Sequence, residues 1–326
     1  MFTVIKPGLE TTVQDYPGRK GCFGYGFAPS GPVDHWSFRL ANLLVGNSAG
    51  AAALECQFIG PTLRLERDAT IALTGADMGA TLDGGPLPLW QSVRVRADQT
   101  IALGPVRLGA RTYIAFDGGI ATEPFLGSRS TYSMAGVGGL DGSALKAGDQ
   151  VPLGPATTAD HAGWRVLPER RPPITLEKRR TIEVVPGPND DWIDEAGQTR
   201  FLTSDWKLSP RSNRVGFRLD GPEWTFADKA INKAPEHGSI PSNIIDHGYP
   251  IGAINLCGQT PIILLNDTLT LGGFINPYTV ISAAFWKLGQ SKPNEVYRFK
   301  AVSVTEAQAK RRRIDRLCAE DSLEAI

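Results

Sequence analysis

Residues 237–293 read HGSIPSNIIDHGYPIGAINLCGQTPIILLNDTLTLGGFINPYTVISAAFWKLGQSKP. Short apolar runs alternate in this stretch with glycines, prolines and polar residues, a pattern that favours short strands joined by tight turns. Amide and carboxylate side chains stand between the runs, beside glycines that let a ligand approach the backbone. The stretch therefore predicts a β-rich fold that holds a site for a small polar molecule.

The rest of the chain continues this β-rich pattern. Its 326 residues include 36 Gly and 24 Pro, so turns are frequent and long helices are rare. Runs typical of strands, such as TIALTG (70–75) and RTYIAFDGG (111–119), alternate with Gly and Pro turns through the first half, and a second β-rich block starts at residue 181. We predict a first β-barrel domain (1–154), a linker (155–180), a second β-barrel domain (181–304) and a charged C-terminal helix (305–326).

Helices are predicted at a few places only. Residues 33–46 carry apolar side chains at helical spacing, with Asp34 placed to cap the helix and Gly46 to end it. A second short helix is predicted at 280–289. The KRRR run at 310–313 fits a solvated face of the C-terminal helix better than a nucleic-acid site.

The composition is that of an ordinary soluble protein. Lys+Arg and Asp+Glu number 34 each, so nothing in the charge balance points to nucleic acid or to an anionic membrane. No apolar run is long enough to cross a membrane, and the N-terminus lacks the apolar core of a secretory signal. The four cysteines form no CxxC pair, which favours reduced thiols in a cytoplasmic protein.

Several well-known catalytic motifs are missing from the sequence. It contains no P-loop, no HExxH and no GxSxG, and its four histidines are not spaced as metal ligands. His237 and His247 flank the polar stretch and could line a site. Amides, carboxylates, basic side chains and backbone N–H groups must therefore carry any chemistry, and we predict that the chain binds no metal.

Such a set of groups suits the transfer of a carboxyl group to an amide nitrogen. That reaction needs donors that stabilise negative charge on a urea-like oxygen, and acceptors that orient the N–H groups of the substrate. The turn SNRVGFR supplies Asn213 and Arg214, although Arg214 could equally form an internal salt bridge. Near the N-terminus, Gln14 and Ser30 could reach one face, while Asp34 fits a capping role better.

At these residues the chain resembles the carboxyltransferase domain of biotin-dependent urea carboxylase. The wider family includes allophanate hydrolase subunit 2, KipA-type proteins and the C-subunit of 5-oxoprolinase. The resemblance covers about residues 2–300. It rests on many short motifs in order, among them VIKPGLETTVQDYPGR, PSGPVDHWSFRLANLLVGN, SDWKLSPRSNRVGFRLDGP, HGSIPSNIIDHGYPIGAIN, LTLGGF and FWKLGQSKP.

The resemblance implies a fold that is mostly β with few helices, built from two cyclophilin-like β-barrel domains with the active site between them. It also implies carboxyl transfer from carboxybiotin. From the matching motifs and the chemistry above, the candidate catalytic residues are Arg214, Asn243, Asp246, Asp267 and Lys287. The candidate substrate- or biotin-binding residues are Asn213, Asn255, Gly272, Gly273, Gln14 and Ser30.

The resemblance further implies cofactors and partners. Biotin would arrive as carboxybiotin on a separate carrier protein, and ATP would be used by a partner biotin carboxylase. A homologue of the subunit 1 or B-subunit type is a further expected partner, and the substrate is a small amide or a urea-like molecule. We expect a stand-alone carboxyltransferase subunit that binds neither nucleic acid nor a membrane.

The sequence leaves other functions open within the same fold. The chain could be the C-subunit of an ATP-dependent 5-oxoprolinase or an allophanate hydrolase subunit 2-like protein, neither of which uses biotin. It could also be a non-catalytic KipA-like binding subunit. Gln259 and Thr260 stand where urea carboxylases tend to carry an acidic group, so the substrate stays open between urea, guanidine, another amide and a lactam.

Overall fold

The structure is a computed structural model. It describes residues 1–156 and 161–326 and divides them into two compact units. The N-terminal unit comprises Met1–Gly21, Pro29–Leu176 and Arg313–Ile326. The C-terminal unit comprises Cys22–Ala28 and Glu177–Arg312. The fold is mostly β with few helices, as the sequence predicts.

The N-terminal unit is built almost entirely from strands. Its strands are β1 (Phe2–Lys6), β2 (Glu10–Gln14), β3 (Ala53–Gln57), β4 (Thr62–Leu65), β5 (Ala69–Asp77), β6 (Thr81–Leu82), β7 (Gly85–Pro86), β8 (Ser92–Val95), β9 (Thr100–Ala102), β10 (Leu108–Phe116), β11 (Gln150–Val151), β12 (Trp164–Val166) and β22 (Leu323–Ala325).

Two sheets enclose the core of this unit. One has the strand order β11-β1-β4-β9-β6-β7 and the other β2-β3-β10-β5-β8. Alternate side chains of both sheets point into one apolar cluster that includes Phe2, Leu54, Leu63, Ile71 and Phe116, all fully buried. This alternation is what the period-2 pattern of strands with one buried face produces.

Helix α1 (His35–Leu44) packs on β5 and β10 and confirms the predicted helix. Asp34 caps it, because its Oδ1 accepts the N–H of Ser37 at 3.0 Å. Buried side chains of the second sheet also hold the preceding loop. Gln14 Oε1 accepts the N–H of Gly31, and Glu55 Oε2 accepts the N–H of Val33, each at 2.9 Å.

Part of the segment predicted as a linker (155–180) pairs with the end of the chain in a small sheet, while residues 157–160 of that segment lie outside the described residues. Strand β12 lies in the predicted linker and pairs antiparallel with β22, with Trp164 opposite Ala325. Helix α5 (Val304–Leu317) therefore ends nine residues before the chain does, rather than running through 305–326. The backbone of the last residues is satisfied by β12 instead of by further helical turns.

The C-terminal unit contains a closed seven-stranded barrel of order β13-β20-β17-β18-β15-β14-β21. Its strands and helices, with those that flank the barrel, are β13 (Arg179–Pro186), α2 (Glu195–Thr203), β14 (Trp206–Leu208), β15 (Gly216–Asp220), α3 (Asp228–Ile231), β16 (Asn243–Gly248), β17 (Ala253–Cys257), β18 (Thr260–Leu264), β19 (Leu271–Phe274), β20 (Tyr278–Val280), α4 (Phe285–Gly289) and β21 (Val296–Ala301).

Stacked aromatic rings form much of the core of this unit. Phe201 of α2 lies 4.4 Å from the ring of Phe299, 4.6 Å from that of Tyr278 and 5.0 Å from that of Trp224, measured between centroids. Such offset stacks bury large apolar areas and lock the orientation of each ring. The predicted helix at 280–289 is shorter than expected, since a 3-10 turn (Ser282–Ala284) precedes α4.

Candidate active site

A two-stranded ribbon of β16 and β19 brings together five of the residues nominated from the sequence. Asn243 lies opposite Phe274, and His247 lies opposite Gly272. Between these two pairs β16 has two more residues than β19, so the ladder is interrupted there by a bulge. Bulges commonly re-aim side chains beside active sites. The nominated residues on or beside this ribbon are Asn243, Asp246, Asn255, Gly272 and Gly273.

The bulge and the two glycines fit closely against one another. Asn243 Nδ2 donates to the carbonyl oxygen of Gly273 at 3.4 Å. A Cβ atom at Gly273 would stand only 2.9 Å from Asp246 Oδ1 and 2.9 Å from the carbonyl oxygen of Ile244. Position 273 therefore requires glycine, and the exposed Asp246 carboxylate lies directly beside its backbone.

Tyr249, which the sequence pattern does not single out, lies at the centre of this group. Its side chain is buried, and its hydroxyl oxygen accepts the N–H of Phe274 at 2.7 Å. The ring of His247 meets it edge-on at 5.2 Å, and His247 Nε2 lies 3.0 Å from the carbonyl oxygen of Phe274. Burial raises the pKa of Tyr249 above its ordinary value of 10.0, so the hydroxyl keeps its proton at neutral pH.

Asn255 extends the group onto the barrel. It lies on β17 opposite Ile262 of β18, and its side chain lies close enough to Tyr249 to influence the pKa of that hydroxyl. Its Oδ1 is buried and has no hydrogen-bond partner among the residues that the structure describes. A buried acceptor without a partner costs about 1–3 kcal/mol, and such groups mark places where a donor from outside completes the structure.

Arg214 and Asp267 form a buried ion pair in the C-terminal unit. Arg214 Nε donates to Asp267 Oδ2 at 2.9 Å and Arg214 Nη2 to Oδ1 at 3.2 Å, and each side chain is 6% exposed. The backbone is joined as well, since the N–H of Asp267 donates to the carbonyl oxygen of Arg214. Of the two roles that the sequence left open for Arg214, the internal salt bridge is therefore present.

Two other nominated side chains of this unit are engaged away from the ribbon. Asn213 Oδ1 accepts the N–H of Val215 at 2.9 Å and shapes the turn before β15. Lys287 Nζ donates to Glu183 Oε2 at 2.8 Å and to the carbonyl oxygen of Thr181. Their contacts stabilise the barrel, and neither residue joins the group around Tyr249.

Gln14 and Ser30 belong to the N-terminal unit, and both are buried. Gln14 donates to Thr12 Oγ1 at 3.0 Å and accepts the N–H of Gly31, so its amide holds the loop before α1. Ser30 occupies that loop with a φ of 56°. Gln259, which stands where an acidic group was expected, bonds instead to the backbone of Trp224.

Residues 1–156 and 161–326 contain neither a metal-binding cluster nor a membrane-spanning helix. Groups of three His, Cys, Asp or Glu side chains that could hold a metal ion are not found there. None of the helices in these ranges is both long enough and apolar enough to span a membrane.

Comparison with known proteins gives one consistent result. Residues 25–301 match the family model described as carboxyltransferase domain, subdomain A and B. The chain is 37% identical over 320 residues to urea amidolyase of Lachancea kluyveri, a match that spans 94% of this chain and 17% of that protein. It is 35% identical over 309 residues to the 5-oxoprolinase C-subunit of Escherichia coli, across 94% of this chain and 93% of that protein.

A solved structure shares the whole fold. The crystal structure of Kluyveromyces lactis urea carboxylase superposes with a TM-score of 0.91 at 35% identity, covering all of this chain and 30% of that one. This chain thus spans less than a third of that structure and about a sixth of the urea amidolyase relative. Family model, curated relatives and structure agree, and the chain belongs to the carboxyltransferase-domain family.

Proposed function

We propose that this chain transfers a carboxyl group from carboxybiotin, held by a separate carrier protein, to the nitrogen of a urea-like amide. The observation that carries the proposal is the group of polar side chains around Tyr249, in a chain of the carboxyltransferase-domain family. Asp246 and the orphaned Asn255 Oδ1 are acceptors suited to the N–H groups of a urea or an amide.

Individual roles follow from the chemistry of the ribbon. Asp246 and Asn243 orient the N–H groups of the substrate, while the protonated Tyr249 hydroxyl fixes the strand that carries the two glycines. Backbone N–H groups near Gly272 and Gly273 face the developing negative charge on the substrate oxygen. Donors fixed in advance stabilise such charge without reorganising during the reaction.

The same acceptors fit the ureido ring of biotin, which also presents N–H groups. Bound carboxybiotin would supply the carboxyl group, and the ureido nitrogen that releases it would take up the proton that the substrate nitrogen loses. Asn255 or Asp246 would hold the ureido N–H that carboxylation leaves, or the N–H groups of the substrate, and the buried wall around Tyr249 excludes water from one side of the site.

Arg214 and Asp267 act in this proposal as a positioning pair. Each neutralises the other in a buried bidentate contact, so the pair fixes the turn before β15 against the segment that leads to β19. Lys287, nominated as catalytic, takes no step here because its ammonium is held by Glu183.

The proposal is tested by reconstitution. The purified chain is mixed with a biotinylated carrier protein, a biotin carboxylase, ATP and bicarbonate, and ADP release is followed with and without urea, guanidine or acetamide. We expect release that depends on one of these substrates and falls about tenfold or more in Asp246→Asn, because a lost acceptor for a charged or polar contact costs about 1.5–3 kcal/mol.

Asp220→Asn is the matched control, since Asp220 is an exposed carboxylate on β15, in the same C-terminal unit as Asp246. Its turnover should equal that of the unaltered chain. The proposal would be contradicted if ADP release were the same with and without each compound. Equal losses of ADP release in Asp246→Asn and Asp220→Asn would contradict it too.

One observation favours a second function, that of the C-subunit of a 5-oxoprolinase. The chain is 35% identical over 309 residues to the Escherichia coli protein of that name, which is nearly the 37% identity that it shares with urea amidolyase. ATP hydrolysis driven by 5-oxoproline in the presence of the other oxoprolinase subunits, without any biotinylated carrier, would establish this function instead.

A further inference from the structure

A basic cleft lies in the N-terminal unit, apart from every residue used above. Its walls are Arg170, Arg313, Arg316, Leu317, Ala319 and Asp321, and its volume is about 580 Å³. Arg313 and Arg316 come from the last turns of α5, and Arg170 comes from the 3-10 turn Pro168–Arg170. The cleft thus includes part of the KRRR run of the sequence and gives that run a defined setting.

The backbone around the cleft is held in place by several hydrogen bonds. The N–H of Leu167 donates to the carbonyl oxygen of Ser322 at 2.9 Å, and Ser322 Oγ donates to that of Leu317 at 3.0 Å. On the other side, Trp36 Nε1 donates to the carbonyl oxygen of Arg170 at 3.0 Å. The two walls therefore keep a fixed separation, as a preformed binding surface requires.

The charges in the cleft do not balance. Among the described residues, the side chains of Arg313 and Arg316 have no ion-pair or hydrogen-bond partner, and both are exposed. Asp315, which lies between them in the sequence, is engaged by Arg39 at 2.7 Å. Asp321 is the one carboxylate in the lining, and it lies 3.5 Å from Arg170.

Nearby acidic residues do not compensate for this excess. Glu324 is paired with Arg165 at 2.7 Å, and Glu320 does not line the cleft. The chain as a whole has a formal net charge of zero, so the excess is local and does not follow from a basic composition. Three guanidinium groups and one carboxylate therefore produce a positive potential focused in a concave surface.

We propose that this cleft is the docking site for an acidic segment of a partner protein. Side-chain carboxylates of that segment pair with Arg313 and Arg316, and Leu317 and Ala319 receive an apolar side chain between them. Arginine suits this role because its planar fork binds carboxylates through two hydrogen bonds and is enriched at interfaces.

A protein segment fits the cleft better than a small free anion does. Sites for small anions use buried donors and the N-terminal ends of helices, where backbone N–H groups point at the ligand. This cleft lies at the C-terminal end of α5, where backbone carbonyls oppose an anion that approaches closely. The side chains of Arg313 and Arg316 are exposed, so an extended chain with spaced carboxylates can meet them.

The proposal is independent of the carboxyltransferase function, because the cleft shares no residue with the ribbon of the C-terminal unit. A fluorescein-labelled peptide of alternating glutamates and leucines serves as the probe, and its binding to the whole chain is followed by fluorescence anisotropy. We expect Arg313→Glu/Arg316→Glu to raise the Kd about tenfold or more, with weaker binding at high salt, because the contact is electrostatic.

Arg64→Glu/Arg96→Glu is the matched control, with the same change in charge at two exposed arginines of the same unit. Its Kd should stay within about twofold of the original, since the altered charges lie outside the cleft. If the double Glu variant unfolds, Arg313→Gln/Arg316→Gln repeats the test with smaller changes. The proposal would be overturned if the cleft and control variants weakened peptide binding equally, or if the cleft variants left the Kd unchanged. Displacement of the peptide by citrate at equal concentration would overturn it as well.

Discussion

The pairing of Arg214 with Asp267 gives two residues nominated as catalytic a structural contact with each other. A guanidinium and a carboxylate that are each 6% exposed have lost most of their hydration, which costs several kcal/mol per ion. The two hydrogen bonds of 2.9 and 3.2 Å, together with the attraction between the charges, offset that cost only while both partners are present. Removing either one leaves an unpaired buried charge.

Arg214→Met should therefore lower the free energy of unfolding by about 3–5 kcal/mol, since the Asp267 carboxylate is left buried without its partner. The double variant Arg214→Met/Asp267→Leu should recover most of that loss, because it removes both charges. Urea denaturation followed by circular dichroism measures both values. Arg179→Met serves as a control, because the Arg179–Asp205 pair is exposed and should change the midpoint little.

If the double variant were as unstable as Arg214→Met, the unpaired buried charge of Asp267 would not be the cause of the lost stability. Loss of carboxyl transfer in a double variant that folds normally would instead return Arg214 to a direct role in the chemistry. The two readouts, unfolding and turnover, thus separate a positioning role from a catalytic one.

At the scale of elements, the sequence predicts regular structure well where a repeating pattern exists. The strand patterns at 70–75 and 111–119 lie within or overlap β5 and β10, and α1 begins after its predicted cap at Asp34. Strand β22 escapes prediction because three residues carry no periodicity, and its partner β12 lies far away in the sequence. Its pairing depends on tertiary structure that local propensity does not encode.

The candidate site likewise contains residues that the sequence predicts and one that it misses. The family motifs, together with the amides, carboxylates and glycines between apolar runs, nominate Asn243, Asp246, Asn255, Gly272 and Gly273, which the ribbon and β17 bring together. Tyr249 escapes prediction because one aromatic residue before a proline predicts packing as readily as function. Its importance depends on a hydrogen bond to Phe274, twenty-five residues further along the chain.

The ribbon requires a glycine at position 272 but not at 248. A Cβ atom at Gly272 would lie 2.7 Å from the Tyr249 hydroxyl and 2.8 Å from its ring, whereas one at Gly248 would meet nothing within 4 Å. Gly272→Ala should thus displace Tyr249 and reduce carboxyl transfer about tenfold or more, as overpacking of about 1–3 kcal/mol distorts the site. Turnover in the reconstituted system provides the measurement.

Gly248→Ala is the control, since it changes the same strand pair without a clash and should leave turnover nearly unchanged. Equal rates for the two variants would mean that the packing of Tyr249 against Gly272 is irrelevant to the reaction. A fall in both would indicate a general weakening of the ribbon, which thermal unfolding of each variant would reveal.

For the whole molecule, the distribution of charge decides how stability depends on pH. Positive and negative side chains are equal in number, at 34 each, so local pairs matter more than net repulsion. Glu183 joins β13 to two other elements of the C-terminal unit. Lys287 of α4 and Lys310 of α5 lie 2.8 and 3.2 Å from its two carboxylate oxygens.

Burial alone would raise the pKa of Glu183, but hydrogen bonds and charges from Lys287 and Lys310 outweigh it and hold the pKa below its ordinary value of 4.5. A carboxyl group whose pKa is lower in the folded state stabilises the fold above the unfolded pKa, and this contribution is lost as pH falls through the folded pKa. The free energy of unfolding should therefore decrease as pH falls below about 4.5.

In Glu183→Gln the free energy of unfolding should depend less on pH, and at pH 7 it should be lower by about 1–2 kcal/mol, because weaker hydrogen bonds replace the charged ones. The half-exposed Lys310 contributes least to this difference. Urea denaturation at several pH values between about 3 and 7 gives both quantities, across the range in which carboxyl groups titrate. Glu177→Gln, at an exposed glutamate of the same unit, should keep the original pH profile. Parallel profiles for the original chain and Glu183→Gln would show that other carboxylates govern acid unfolding, because only a group whose pKa differs between folded and unfolded states can change the slope.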